Sequence, residues 1–357
     1  MREVAVLTPV LDFHLPAELE ATAPPEDRGT GRDAVRLLVA HTGSGQIEHR
    51  LFPELPELLA PGDLLVVNRS ATLNAALDGT VDGEPAVLHL SRELDGRRWI
   101  AELRRVPPAG TRTTPWLDAR AGTMIDFGER GSAVLRTPAG EFGPGERSRL
   151  WVTELRLPNG VPTALATWGR PITYVEPAMR RPLAAYQTIF ATEPGSAEMP
   201  SAGRPFTFEL VTRLMVAGID MAAVVLHAGV SSLEASEPPQ PEAFYVPAQT
   251  AERVNSVLRL GGRVIAVGTT VVRALESAAI APRLVLPASG LTDLAIGPAY
   301  EAKVVTGILT GWHEPQASHL AIVEAIAGRA LLERSYEAAL EARYLWHEFG
   351  DSHLVLP

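Results

Sequence analysis

The sequence predicts an α/β protein, a mixed α/β/α sandwich interrupted by a small antiparallel β-barrel. Three observations carry this expectation. Short apolar runs alternate with segments of helical period on both sides of a central stretch, the pattern of a parallel or mixed sheet covered by helices. Between about Leu77 and Leu157 the texture changes to short alternating runs separated by Gly, Pro and Asp, which favours an antiparallel barrel or sandwich. A Pro-rich passage from Leu157 to Pro182 then returns the chain to its first texture. The predicted units are residues 1–76 with 158–357 as the α/β domain, and residues 77–157 as the inserted barrel.

The elements follow in order. Val35–Ala40 and Leu64–Val67 are strand signals, and His41–Gly45 (HTGSG) between them reads as a turn. A Gly-x-Gly outside a strand-to-helix junction is weak evidence for a phosphate loop. Pro61-Gly62-Asp63 marks a second turn. In the central stretch AVLHLS, RWIAELR, AVLRT and RLWVTEL are the candidate barrel strands. Beyond it, Phe208–Ala217 has helical period and stops at Gly218, and Met221–Leu226 is a buried-strand run. Ala248–Leu260 is helical up to Gly261-Gly262, Arg263–Gly268 is a short apolar strand, and Thr270–Ala279 is a helix. Lys303–Leu309 is expected as a strand, and Gln316–Glu333 and Ser335–Glu348 as two closing helices.

Composition excludes several classes of function. The 357 residues suggest two domains of roughly 150 each, and 46 % hydrophobic with 21 % charged residues is ordinary for a globular core. There is no cysteine, which removes disulfides, thiolate zinc sites, iron–sulfur clusters and cysteine nucleophiles together. No apolar run approaches the roughly 18 residues of a membrane span, and the start lacks a basic region followed by an apolar one. A cytoplasmic protein away from membranes is expected. The net charge of −10 argues against a generic nucleic-acid binder, which carries a basic footprint. From Leu77 to Leu157, however, twelve Arg balance twelve Asp or Glu, and Arg97, Arg98, Arg104 and Arg105 flank one strand. Solvated strand edges explain those arginines without any function. Lys303 is the only lysine of the sequence, so a site needing a slim, tunable ammonium would fall there.

In open α/β sheets ligands collect beyond the carboxyl ends of the strands. Three of the expected strands, read as neighbours in the sheet, end on reactive types: AAVVLH on His227, RVIAVG on Thr269 and Thr270 after Gly268, and KVVTGILTGWH on His313. Each histidine alone also reads as a core residue. In GTTVVRALES the threonines can cap a helix, and a helix N-terminus binds carboxylates. Arg273 sits in the first turn, the unfavourable end for a cation. Its partner is either Glu276, three residues on, or a ligand carboxylate. No Gly-x-x-x-x-Gly-Lys loop, His-Glu-x-x-His or Gly-x-Ser-x-Gly elbow occurs, and His347 and His353 lack metal-ligand spacing. No metal is expected.

These motifs together resemble a known family. RLLVAHTGSGQIEHRLFPELPELLAPGDLLVVN (Arg36 to Asn68), YQTIF (Tyr186–Phe190), VIAVGTTVVRALES (Val264–Ser277), KVV (Lys303–Val305) and Gly350-Asp351 are similar, in order and spacing, to the S-adenosylmethionine:tRNA ribosyltransferase-isomerases. The resemblance spans nearly the whole chain, and GTT-x-VR-x-LES is its most specific piece. It implies a β-barrel inserted in the fold, S-adenosylmethionine as substrate, and tRNA as partner. It also implies a reaction in which the ribosyl portion of S-adenosylmethionine passes to 7-aminomethyl-7-deazaguanine in tRNA, giving epoxyqueuosine, adenine and methionine. Carried onto this sequence, His227, His313 and Lys303 are the expected catalytic residues. Tyr186, Gln187, Glu242, Gly268, Thr269, Thr270, Arg273 and Asp351 are the expected substrate-binding residues.

The chain also departs from the family pattern. Pro205 stands where PTAGLHF has its histidine, Gln240 replaces the His of a His-x-Glu that keeps Glu242, and Gly311-Trp-His-Glu-Pro315 replaces Asn-Phe-His-Leu-Pro. The expected Thr-Arg-Val-x-Pro-Ala-Arg run reads Ser70-Ala-Thr-Leu-Asn-Ala-Ala76, which removes two cations and so weakens the case for phosphate contacts. Two further readings therefore stay open: an S-adenosylmethionine enzyme with a small-molecule acceptor, and a non-catalytic S-adenosylmethionine- or RNA-binding protein.

Overall fold

Consecutive residues of the apolar runs go to opposite sides of one sheet. Leu38 and Ala40, Leu64 and Val66, and Val264 and Ala266 join one core, while Leu37 and Val39, Leu65 and Val67, and Ile265 and Val267 join another. A strand buried on both faces has no polar side to show, so it reads as a continuous apolar run. The computed structural model describes residues 11–107, 112–139, 148–173, 180–230 and 240–357.

The sheet has nine strands, in the order Ala288–Thr292, Glu242–Val246, Asp220–Leu226, Leu64–Asn68, Val264–Val267, Gly307–Gly311, Ser352–Leu356, Arg36–His41, Ile47–Leu51. The three strands from Asp220–Leu226 to Val264–Val267 run parallel, as does Gly307–Gly311 beside them. Antiparallel pairs close both flanks. The helices Ala248–Arg259, Thr269–Ala278, Ser318–Ala327 and Arg329–Glu341 pack one face through residues such as Val254, Val272, Val323 and Leu332. Leu55 with Leu210 and Leu214 of the helix Phe208–Val216 covers the other. The result is the expected α/β/α sandwich.

The chain between Ala76 and Arg156 forms the second sheet. Its strands include Ala76–Val81, Glu84–Asp95, Arg98–Arg105, Met124–Asp126, Ser132–Pro138 and Leu150–Arg156, and pairing of the last with Arg98–Arg105 closes six of them into a barrel. Closure leaves no edge among the six. Leu77, Leu88, Leu103 and Leu135 fill the interior. Of the arginines flanking the Arg98–Arg105 strand, Arg104 bonds Glu102 and Thr113, Arg105 pairs with Asp118, and Arg98 with Asp95. Buried Glu102 is flanked by His89, Arg104 and Arg149. Burial alone would raise its pKa, but these neighbours prevail and hold it near 2.

Three local expectations need correction. The strand expected from Lys303 begins only at Gly307, because the Glu276 carboxylate takes the backbone N–H groups of Lys303, Val304 and Val305. Those donors are then not available to a sheet ladder. The two closing helices are Ser318–Ala327 and Arg329–Glu341, so the break falls at Gly328, six residues before Arg334. The strands ending on His227 and Val267 are not neighbours either, since Leu64–Asn68 lies between them.

Candidate functional site

The carboxyl ends of the parallel strands open into a cleft, the place where ligands collect in open α/β sheets. Four of the expected residues line it: Glu242, Thr269, Thr270 and Arg273. Gly268 makes this possible. Its φ of +98° turns the Val264–Val267 strand directly into the helix Thr269–Ala278, a backbone region that side chains with a Cβ rarely enter. Thr269 and Thr270, whose amides open the helix and have no helical partner, line the cavity.

Buried Asn68 ties the strand ends together. Its Nδ2 donates to Leu226 O at 2.8 Å and Thr270 Oγ1 at 3.2 Å. Its Oδ1 accepts from the backbone of Ser70 and of Leu226. The only sequence signal was its place at the end of an apolar run.

Arg273 does not pair with Glu276. Its guanidinium bonds Glu242 and donates to the carbonyls of Leu294 (3.2 Å) and Thr292 (3.2 Å), while Glu276 accepts from Tyr300 Oη and the loop amides already named. Of the protein's own carboxylates, the one on Arg273 is Glu242 and not the expected Glu276. The other Glu242 oxygen accepts from Gly229 N at 3.0 Å. Burial pushes the Glu242 carboxyl up against the pull of Arg273, and the charge of Glu198 adds to the rise.

His227 stands at the rim, where Ala228 and Gly229 enter the cavity wall. Its Nδ1 lies 2.7 Å from Ser70 Oγ, which is 2.6 Å from Ser196 Oγ. A Cβ on Gly195 would come within 2.4 Å of the same nitrogen, so glycine is what lets this ring lie flat against the Glu193–Ser196 strand. Burial lowers the His227 pKa, opposed by Glu193.

His313 follows the Gly307–Gly311 strand and bonds Thr310 Oγ1 at 3.0 Å through Nε2. Its ring stacks on His319, with centroids 5.1 Å apart and an angle of 18°. His319, at the start of the helix Ser318–Ala327, is the one that lines the cavity. Burial lowers both pKa values, that of His319 to about 4 with Arg273 contributing. Sequence reasoning missed His319, since one histidine in a helical run reads as core.

The remaining expected residues sit elsewhere. Lys303 is exposed and contributes its backbone, not its side chain, to the Glu276 contact. Gln187 pairs both ends of its amide with the Thr72 backbone at 3.0 and 2.8 Å. Tyr186 is buried against Phe349, its carbonyl holding Thr72 Oγ1. Asp351 accepts from the Arg36 backbone and guanidinium and from Leu345 N. These three brace the segments around the cavity. Among the described residues no three His, Asp or Glu side chains converge as a metal site, and no helix is long and apolar enough to cross a membrane.

The chain matches known proteins along nearly its whole length. Residues 8–355 match the model of the family described as "Queuosine biosynthesis protein". The S-adenosylmethionine:tRNA ribosyltransferase-isomerase of Symbiobacterium thermophilum is 37 % identical over 97 % of this chain and 98 % of its own. That of Carboxydothermus hydrogenoformans is 36 % identical over the same shares. The crystal structure of S-adenosylmethionine tRNA ribosyltransferase from Thermotoga maritima aligns with a TM-score of 0.54 at 30 % identity, over 97 % of this chain and 99 % of that one. The chain belongs to the queuosine biosynthesis protein family.

Proposed function

We propose that this protein is an S-adenosylmethionine:tRNA ribosyltransferase-isomerase of queuosine biosynthesis. It transfers the ribosyl portion of S-adenosylmethionine to 7-aminomethyl-7-deazaguanine in tRNA, giving epoxyqueuosine and releasing adenine and methionine. The carrying observation is the cavity itself, in a chain that matches the family along nearly its full length. Helix amides at Thr269 and Thr270 suit the methionine carboxylate, and Glu242 suits its ammonium. The apolar wall of Leu294, Ile296 and Ile322 suits the purine. The sulfonium acidifies the C5′ protons, and the acceptor amine attacks the sugar. His227, which precedes the cavity-lining Ala228 and Gly229, is our proposed proton acceptor. The two units, residues 1–76 with 158–357 and residues 77–157, are proposed to divide the work, the first holding S-adenosylmethionine.

The test is adenine release from S-adenosylmethionine, with and without tRNA carrying the 7-aminomethyl-7-deazaguanine base. Release that depends on the modified tRNA supports the reading. The run Ser70–Ala76, which lacks two cations of the family pattern, favours a small-molecule acceptor as the second reading. Release stimulated by small amines and indifferent to tRNA would establish it instead.

A further inference from the structure

His319 belongs to the helix Ser318–Ala327 and lines the same cavity as Thr269 and Thr270. Leu294, Ile296 and Ile322 give that cavity apolar lining, and Ser318 adjoins His319 in the chain. His313 cannot take the same part. Its ring lies behind His319 in the stack, its Nε2 is committed to Thr310, and its backbone N–H donates to Tyr336 Oη at 3.3 Å. The His319 ring nitrogens make no hydrogen bond among the described residues, yet stacking fixes the plane in which they point. The ring is only half-buried, so its nitrogens stay free to meet a polar atom of a ligand in the cavity.

We propose that His319 is a catalytic residue that donates a hydrogen bond to a ring nitrogen of the adenine as it departs. This rests on the proposed reaction above. A neutral imidazole carries one N–H donor, and the surroundings keep this one neutral: the half-buried ring is partly desolvated, and Arg273 disfavours a second positive charge there. When the C1′–N9 bond breaks, its electron pair passes to the purine and negative charge spreads over the ring nitrogens. A donor aimed at charge that appears only in the transition state lowers the barrier without tightening substrate binding. His319 stays neutral throughout. The proton that finally neutralises adenine is one of those lost from C5′ and the attacking amine. His313 is the positioning residue that holds the ring by stacking.

The experiment compares adenine release and S-adenosylmethionine affinity in the intact protein and two variants. His319→Phe keeps a ring to stack on His313 but has no donor, whereas His319→Gln keeps a donor. The expected result for His319→Phe is a fall in kcat on the order of a hundredfold, with S-adenosylmethionine affinity within about threefold of wild type, and recovery of much of the loss in His319→Gln. Wild-type kcat in His319→Phe overturns the proposal. So does an equal loss of kcat and affinity in both variants, which makes the residue a packing element. Circular dichroism and S-adenosylmethionine binding identify a variant that has not folded, and His319→Ala then serves in its place under the same criteria. If the wild-type protein releases no adenine with any acceptor, it is the proposed reaction that fails, and the two failures are distinct.

Discussion

Arg273 and Glu242 form an ion pair inside the cavity wall, their side chains 8 % and 14 % exposed. Removing the cation leaves a carboxylate that burial already disfavours. Arg273→Ala is therefore expected to cost about 3–5 kcal/mol of stability, the range for breaking a buried pair from one side. Arg273→Lys recovers little, because one ammonium cannot reach Glu242 and two carbonyls as the planar fork does. Urea midpoints of the two variants check this, and an unchanged midpoint in Arg273→Ala would refute it.

Gly195→Ala places a methyl group where the His227 ring lies. The ring must swing away from Ser70, at a cost of about 1–3 kcal/mol for overpacking. Adenine release is expected to fall while S-adenosylmethionine still binds. Wild-type turnover in this variant would mean that the position of His227 is immaterial to the chemistry.

Glu348 titrates far from its ordinary range. Burial first, then the charge of Glu198, push it up to about 8, with Arg204 only partly offsetting them. An acid whose folded pKa is raised opposes folding as pH climbs, because the unfolded chain ionises freely from about 4.5 upward while the folded one must hold its proton. Stability is expected to decline between pH 4.5 and 8 for this reason. Glu348→Gln should flatten that decline and leave the variant more stable than wild type at pH 8. Thermal melts at pH 5 and pH 8 decide it, and parallel curves for the two proteins would count against it.

Arg92 lies on the barrel strand Glu84–Asp95, next to Ser91, whose hydroxyl accepts from Val230 N in the cavity wall. Its guanidinium is half-buried and has no acceptor among the described residues, and its pKa is lowered by burial. A cation left so is suited to a phosphate. Arg92→Ala is expected to weaken tRNA binding and to reduce its salt slope by about one, with S-adenosylmethionine affinity unchanged. An identical slope in the variant would remove Arg92 from the tRNA contact.

The fold was legible in the sequence because its strands are buried on both faces. Runs such as Leu64–Val67 cannot be mistaken for surface. The turn at Gly268 was legible too, and with it Thr269 and Thr270. What escaped depends on contacts that no local pattern records. Glu276 reaches three amides of another segment and so delays a strand. Glu242 finds Arg273 across a connection of thirty-one residues. Gln187 and Asp351 carry motif positions, but their side-chain polar atoms bond neighbouring backbone and Arg36. His319 gave no signal, since nothing in helical period separates a histidine facing a cavity from one facing a core.

The strand Ser352–Leu356 separates the hairpin Arg36–Leu51 from the rest of the sheet. During synthesis that hairpin emerges early, yet its partner is made 315 residues later, counted from Arg36 to Asp351. At roughly 5–20 residues per second the wait lasts on the order of 15–60 s. For that time Leu37, Leu38 and Val39 have no sheet to join. The central sheet is therefore expected to complete its hairpin edge only after the last strand is made.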